Sequence, residues 1–241
     1  MLTGWLSVDP MADKYPNISP YAYCAWNPVK LVDPDGKKIR GVKYNASTDT
    51  YTFTRRAQRN GTSRFVNELT KTEMGRTVLK GLMESRTKYQ VRVTDMPLFG
   101  ASSEGGKFVQ FGGRYVKSRK TIWVSTADKI SDAESNKSVM GYYFDPMTDD
   151  WTMQRINGSD IVSNNTSVPE EYIKAYHDSG LESYEQNSEN LYKSPTEIIH
   201  GRGVHEGTHA LQDQNLDIYA SEYEALSNER IAREQYKEAV P

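Results

Sequence analysis

The sequence predicts an α+β fold in which a small mixed or antiparallel sheet precedes a buried helix carrying His205-Glu206-Gly207-Thr208-His209. Three observations predict it. Short β-branched and aromatic runs bounded by turn residues recur between Ile39 and Ser125. A helical stripe of apolar residues interrupts them at residues 63–85. The C-terminal part then reads as two successive helices joined by Asn215-Leu216-Asp217.

The chain of 241 residues suits one medium domain with an appendage, or two small ones, and can bury a real core. Hydrophobic content is low at 37%, which points to a polar protein with large loops. No apolar run reaches the length of a membrane span, so no membrane partner is expected. The N-terminal residues Met1-Leu2-Thr3-Gly4-Trp5 lack the pattern of a signal peptide, so export would depend on another element. Cys24 is the single cysteine, which rules out an intrachain disulfide and a cysteine-based zinc site. Basic residues are concentrated between Lys37 and Asp95 while the last third is acidic, a distribution read as complementary surfaces within one fold. The basic stretch holds no compact His/Asn or paired-acid nuclease signature, so no nucleic-acid partner is expected.

Along the chain, Pro10, Pro16, Pro20, Pro28 and Pro34 forbid a long helix in residues 1–36 and suit a series of turns held by aromatic side chains. Asp33-Pro34-Asp35-Gly36 is a strong turn and the expected boundary, with a second domain over residues 37–241. Val42, Tyr44, Tyr51 and Phe53 alternate around Asn45 to Asp49 and predict a hairpin. In the helical stripe, Phe65, Val66, Leu69, Met74, Val78, Leu79, Leu82 and Met83 face one way, and Gly75 either admits a close neighbour or splits the region into two helices. Strands are expected at 89–94, 108–111 and 121–125, with a Gly/Ser loop at 98–106. Residues 128–192 are polar and loop-rich and read as either a functional cover or elements that the pattern does not resolve, with one short helix at 170–176 and His177 at the surface.

The helix that follows has a capped start: Ser194 as N-cap, Pro195 at the first position and Glu197 closing a capping box. Ile198, Ile199, Val204 and Leu211 would pack it into the core, while Gly201 and Gly203 require close packing or a break before Val204. His205 and His209, four residues apart, project from one face and can reach a single tetrahedral ion, with Glu206 beside them to take a proton from water. That is the arrangement of a zinc hydrolase, most often a peptidase. His200 falls off that face and is expected to orient a ligand from behind or to face solvent. Two downstream carboxylates compete to be the third ligand. Glu222 shares a face with Ala225 and Leu226, which allows close packing and makes it the preferred choice, and Glu224 shares one with Ser227, Asn228 and Ile231. Asp213 and Asp217 are candidates to orient the histidines.

Two resemblances extend this reading. Trp5-Leu6-Ser7-Val8-Asp9-Pro10, Ser19-Pro20-Tyr21-Ala22-Tyr23, Asn27-Pro28-Val29 and Asp33-Pro34-Asp35-Gly36 stand in the order seen at the end of the RHS-repeat-associated core of bacterial Rhs/YD-repeat polymorphic toxins, which this segment resembles. The resemblance implies a core segment that plugs a repeat-built shell, a toxin domain after it, delivery as a secreted effector, and a cognate immunity protein. The H-E-x-x-H-A-L string with a downstream E-x-x-A near Asn228-Glu229-Arg230 is similar to the gluzincin-like metallopeptidase toxins found at Rhs C-termini. It implies a zincin-like fold, Zn2+ held by His205, His209 and Glu222, Glu206 as the base, and a protein substrate in a target cell. In such peptidases an edge strand beside the metal helix holds the extended substrate; the Trp123 strand is the candidate for that role, although an ordinary core strand is the preferred reading of it. The competing functional readings are a non-catalytic interaction module and a nuclease.

Overall fold

The computed structural model describes residues 39–101, 106–128, 137–162, 194–212 and 218–240. The chain divides into Met1–Gly36 and Lys37–Pro241, and every described residue belongs to the second unit. Residues 1–36, the helix expected at 170–176, His177 and the turn at 215–217 lie outside the described residues. What is described is a mixed α+β domain with small sheets.

Strands β1 (Val42–Asn45) and β2 (Thr50–Phe53) form the expected antiparallel hairpin, with Tyr44 opposite Tyr51. Three helices follow, α1 (Arg55–Arg59), α2 (Thr62–Leu69) and α3 (Glu73–Glu84). The single helical stripe of the sequence is therefore two helices. They part at Thr72, whose hydroxyl accepts from the Gly75 amide and caps α3. Gly75 is also a point of close approach, since a Cβ there would lie 3.0 Å from Cε1 of His200.

The remaining strands are β3 (Gln90–Thr94), β4 (Leu98–Ala101), β5 (Phe108–Phe111), β6 (Gly113–Val116), β7 (Thr121–Ser125), β8 (Ser138–Asp145), β9 (Asp150–Asn157) and β10 (Ile161–Val162). One sheet has the order β3-β7-β6, parallel then antiparallel, and the other the order β10-β5-β4-β8-β9. One expectation is corrected here: the segment read as a Gly/Ser loop at 98–106 begins with β4, where Leu98 and Phe99 are fully buried and Gly100 leaves room for the Phe111 ring. Of the two readings of residues 128–192, the one that allowed further elements holds for the β8–β9 hairpin, whose Tyr142, Phe144 and Trp151 pack around Trp123. Trp123 lies on an ordinary core strand, the preferred reading of its segment. All five residues of β7 are buried and β7 is central, with β3 and β6 as the two outer strands of this sheet among the described residues.

The C-terminal helices α4 (Pro195–Leu211) and α5 (Ile218–Ala239) complete the domain. One face of the three-stranded sheet carries Val91, Ile122 and Val124 into the core with Phe65, Leu69, Leu82 and Val204 of the helices. The opposite face carries the register row Arg92–Trp123–Arg114. Both guanidinium groups lie over aromatic rings there, Arg92 on Trp123 at 5.4 Å and Arg114 on Phe144 at 4.1 Å. The helix bearing the histidines is thus packed between the sheet, α2, α3 and α5.

Candidate metal centre

Helix α4 starts as its sequence dictates. Ser194 accepts from the Glu197 amide and Pro195 occupies the first turn. Ile198, Ile199 and Val204 are buried, whereas Leu211, expected in the core, is 38% exposed at the helix end. The helix runs unbroken through its glycines because they are contact points: a Cβ at Gly203 would lie 2.8 Å from Leu69 Cδ1, and one at Gly207 2.6 Å from Val78 Cγ1. The lost helix propensity, up to about 1 kcal/mol per glycine, is offset by bringing α2 and α3 against the backbone.

The three remaining faces of α4 divide the chemistry. His205 and His209 face α5, Glu206 faces β6, and His200 faces the α2–α3 turn and Tyr236. His200 is a correction to the sequence reading, since it is fully buried. Its Nδ1–H donates to the Glu68 carbonyl at 2.8 Å, its Nε2 accepts from the Thr72 hydroxyl at 3.1 Å, and its ring stacks on Tyr236. Burial lowers its pKa, so it stays neutral and ties four elements together.

His205 and His209 converge with Glu222 as a possible metal-binding triad. The two Nε2 atoms are 3.1 Å apart, Glu222 Oε2 is 3.5 Å from His205 Nε2, and Glu222 Oε1 is 3.3 Å from His209 Nε2. Bonds of about 2.0–2.1 Å at tetrahedral angles separate neighbouring donors by about 3.3–3.4 Å; each contact taken singly is close to that spacing, the two carboxylate contacts use different Glu222 oxygens, and one donor atom from each residue lies within 4.8 Å of the others. The competing carboxylate, Glu224, is exposed and accepts instead from Gln212 Nε2 at 3.0 Å. Asp213 and Asp217 lie outside the described residues.

The backs of both imidazoles are engaged by groups that sequence reasoning did not select. His205 Nδ1 lies 3.1 Å from Glu229 Oε2, and Glu229 is 5% exposed. His209 Nδ1 lies 2.9 Å from Gln212 Oε1 and 3.0 Å from Ser221 Oγ. A carboxylate and an amide oxygen can only accept, so they place the ring protons on Nδ1 and turn both Nε2 lone pairs toward Glu222. The available signal was spacing: Glu222 and Glu229 are seven residues apart, two turns of one helix face.

Charge in the cluster is tightly coupled. Burial pulls the His205 pKa down, but the Glu222 and Glu229 carboxylates more than reverse this and hold it well above 6.5. Burial and Glu222 act in the same opposed way on His209, with a net rise. The imidazoles hold Glu222 far below the usual carboxylate range against the effect of burial. The donor set is therefore two nitrogens and one anionic carboxylate, which suits a borderline-soft divalent ion.

Glu206, 7% exposed, completes the site. Burial raises its pKa, the two histidines oppose that rise, and the Tyr115 amide of β6 donates a hydrogen bond to its carboxylate. Gly113 makes the approach possible, since a Cβ there would lie 2.8 Å from Glu206 Oε1. Chemically, the arrangement offers a possible ion site, an adjacent buried carboxylate and, beside both, an edge of β6 on which no described strand pairs. Comparison with protein-family models, with curated proteins and with solved structures returned no match.

Proposed function

We propose that residues 37–241 are a zinc-dependent endopeptidase of zincin-like fold, the toxin domain of an Rhs-type polymorphic toxin that hydrolyses peptide bonds in a target-cell protein. The observation that carries the reading is the convergence of His205, His209 and Glu222, with one donor atom from each within 4.8 Å of the others and buried Glu206 alongside. The motifs in residues 1–36 support the toxin context, and with it an Rhs shell, delivery as a secreted effector and a cognate immunity protein.

His205, His209 and Glu222 would hold a zinc ion, which when bound would supply Lewis acidity to a carbonyl and to water. Glu206 is placed to take a proton from water as its oxygen adds to the carbonyl carbon, and to return that proton to the amine nitrogen as the C–N bond breaks; its raised pKa suits both transfers. Glu229, Gln212 and Ser221 keep the imidazoles aimed through their Nδ1 atoms. A peptide pairing with the outer edge of β6 would lie next to Glu206. Glu206→Gln is expected to bind one zinc per chain, as the parent does, while proteolysis and toxicity to an expressing bacterium disappear. Equal toxicity of the two would sink the mechanism. Protein without metal affinity would point to an interaction module, and cleavage of DNA or RNA to a nuclease.

A further inference from the structure

An open cleft of about 540 Å³ runs along β6 on the sheet face opposite α4, lined by Arg114, Tyr115, Val116, Lys117, Phe144 and Asp149 among others. It adjoins the metal centre through one strand, because the Tyr115 amide that helps form its wall is the group that donates to Glu206. The register explains why both sides of β6 are in use. Gly112 accepts from the Ser125 amide, so residues 112, 114 and 116 turn their backbone groups toward β7, and Gly113 and Tyr115 turn theirs outward. No described strand occupies that outer side. A peptide laid there would alternate its side chains between α4 and the cleft.

Arg114 decides what the cleft side selects. It is half-buried, stacked on Phe144 at 4.1 Å and within 5.5 Å of Phe111. Among the described residues its guanidinium makes no hydrogen bond or ion pair, although Glu206 and Asp149 act on it through space. A planar cation held on a ring, with its donors unused, is arranged to bind a carboxylate in two-pronged fashion. Lys117 adds a second cation, so the cleft sets two positive charges against Asp149.

We propose that this cleft is a specificity subsite for an acidic side chain, so that the protein binds and cuts extended segments carrying Asp or Glu near the scissile bond. The proposal rests on the endopeptidase reading above. It is tested by measuring binding of matched peptides, identical except for Glu or Gln at each position in turn, to zinc-loaded Glu206→Gln protein, and cleavage of the same set by the parent. At one position Glu should bind about tenfold more tightly than Gln. Arg114→Gln, made in the Glu206→Gln protein, should erase that preference, and Arg114→Lys, which keeps the charge but not the two-pronged geometry, should retain only part of it, with thermal unfolding used to confirm that each variant folds. No preference at any position, or a preference that survives Arg114→Gln in folded protein, overturns the subsite. The two claims fail separately: cleavage without an acidic preference removes the subsite and leaves the hydrolase, whereas binding preference with no cleavage by the parent removes the hydrolase and leaves the subsite.

Discussion

The choice between Glu222 and Glu224 can be decided by zinc-linked stability. Each Glu222 oxygen faces one imidazole, at 3.3 and 3.5 Å, so Glu222→Gln keeps the shape but replaces one acceptor with an NH2 group aimed at a site that needs lone pairs. With free zinc at about 100 times Kd, an ion that binds only the folded protein stabilises it by about 2.7 kcal/mol. For a domain of this size each kcal/mol moves Tm by about 2–4 °C, giving a rise of roughly 5–11 °C for the parent. If Glu222→Gln weakens zinc about 100-fold, the upper end of what disturbing a ligand's orienting partner costs, the same zinc leaves about 0.4 kcal/mol and a shift of about 1–2 °C. Glu224→Gln should keep the full shift. The metal-free protein supplies a control of opposite sign. The raised histidine pKa values contribute stability that is fully present below 6.5 and lost as pH rises through their folded values. The lowered Glu222 pKa contributes stability present above 4.5 and lost as pH falls through its folded value. The ion-pair contribution without metal is therefore largest between pH 4.5 and 6.5, and it is modest because the Glu222 side chain is 42% exposed. Zinc must displace the protons on the imidazoles, so its stabilisation should instead grow as pH rises from 6 to 8. Calorimetric scans of the three proteins with and without zinc at pH 5.5 and 8 read both effects. A full zinc shift in Glu222→Gln together with its loss in Glu224→Gln would refute the assignment.

Two other perturbations follow from packing. Glu229→Gln should weaken zinc about 10- to 100-fold in a competition titration while leaving one binding site, because it alters the acceptor behind His205 Nδ1 rather than a ligand atom. Gly207→Ala should lower stability by about 1–3 kcal/mol in chemical denaturation despite the better helix propensity of alanine, since the new methyl would meet Val78 Cγ1 at 2.6 Å; unchanged or raised stability would mean that α3 yields at that contact.

How much of the molecule was legible in the sequence depended on whether the signal was local. The cap of α4 needed only Ser194, Pro195 and the register of the next turn, and the β1–β2 hairpin needed only alternation on either side of the loop Asn45 to Asp49. The histidine pair was legible for the same reason, since four residues along one helix fix both imidazoles. The β8–β9 hairpin was not, because its partners come from far along the chain. Tyr142 and Trp151 read as scattered aromatics until Trp123 stands between them, and the intervening Met140, Thr152 and Met153 blur the alternation. His200 was misjudged on the same ground. Its partners are Glu68, Thr72 and Tyr236, and nothing within one turn of it announces a buried pocket.

The edge strand carries the sharper lesson about how sheet position governs chemistry. The Thr-Ile-Trp-Val-Ser of β7 is the stronger strand former and was the candidate edge, although a core strand was the preferred reading, and a strand paired on both flanks has no backbone groups left for an added strand. Gly113-Arg114-Tyr115-Val116 is a weaker strand by propensity, and each weakness has a use at the edge. The glycine admits Glu206, the outward amide of Tyr115 reaches it, and the arginine places a cation over the far side. A β-branched residue at position 113 would strengthen the strand but its Cβ would meet Glu206 Cγ at 2.7 Å and Oε1 at 2.8 Å, so the close approach of α4 to the sheet requires a poor strand former here.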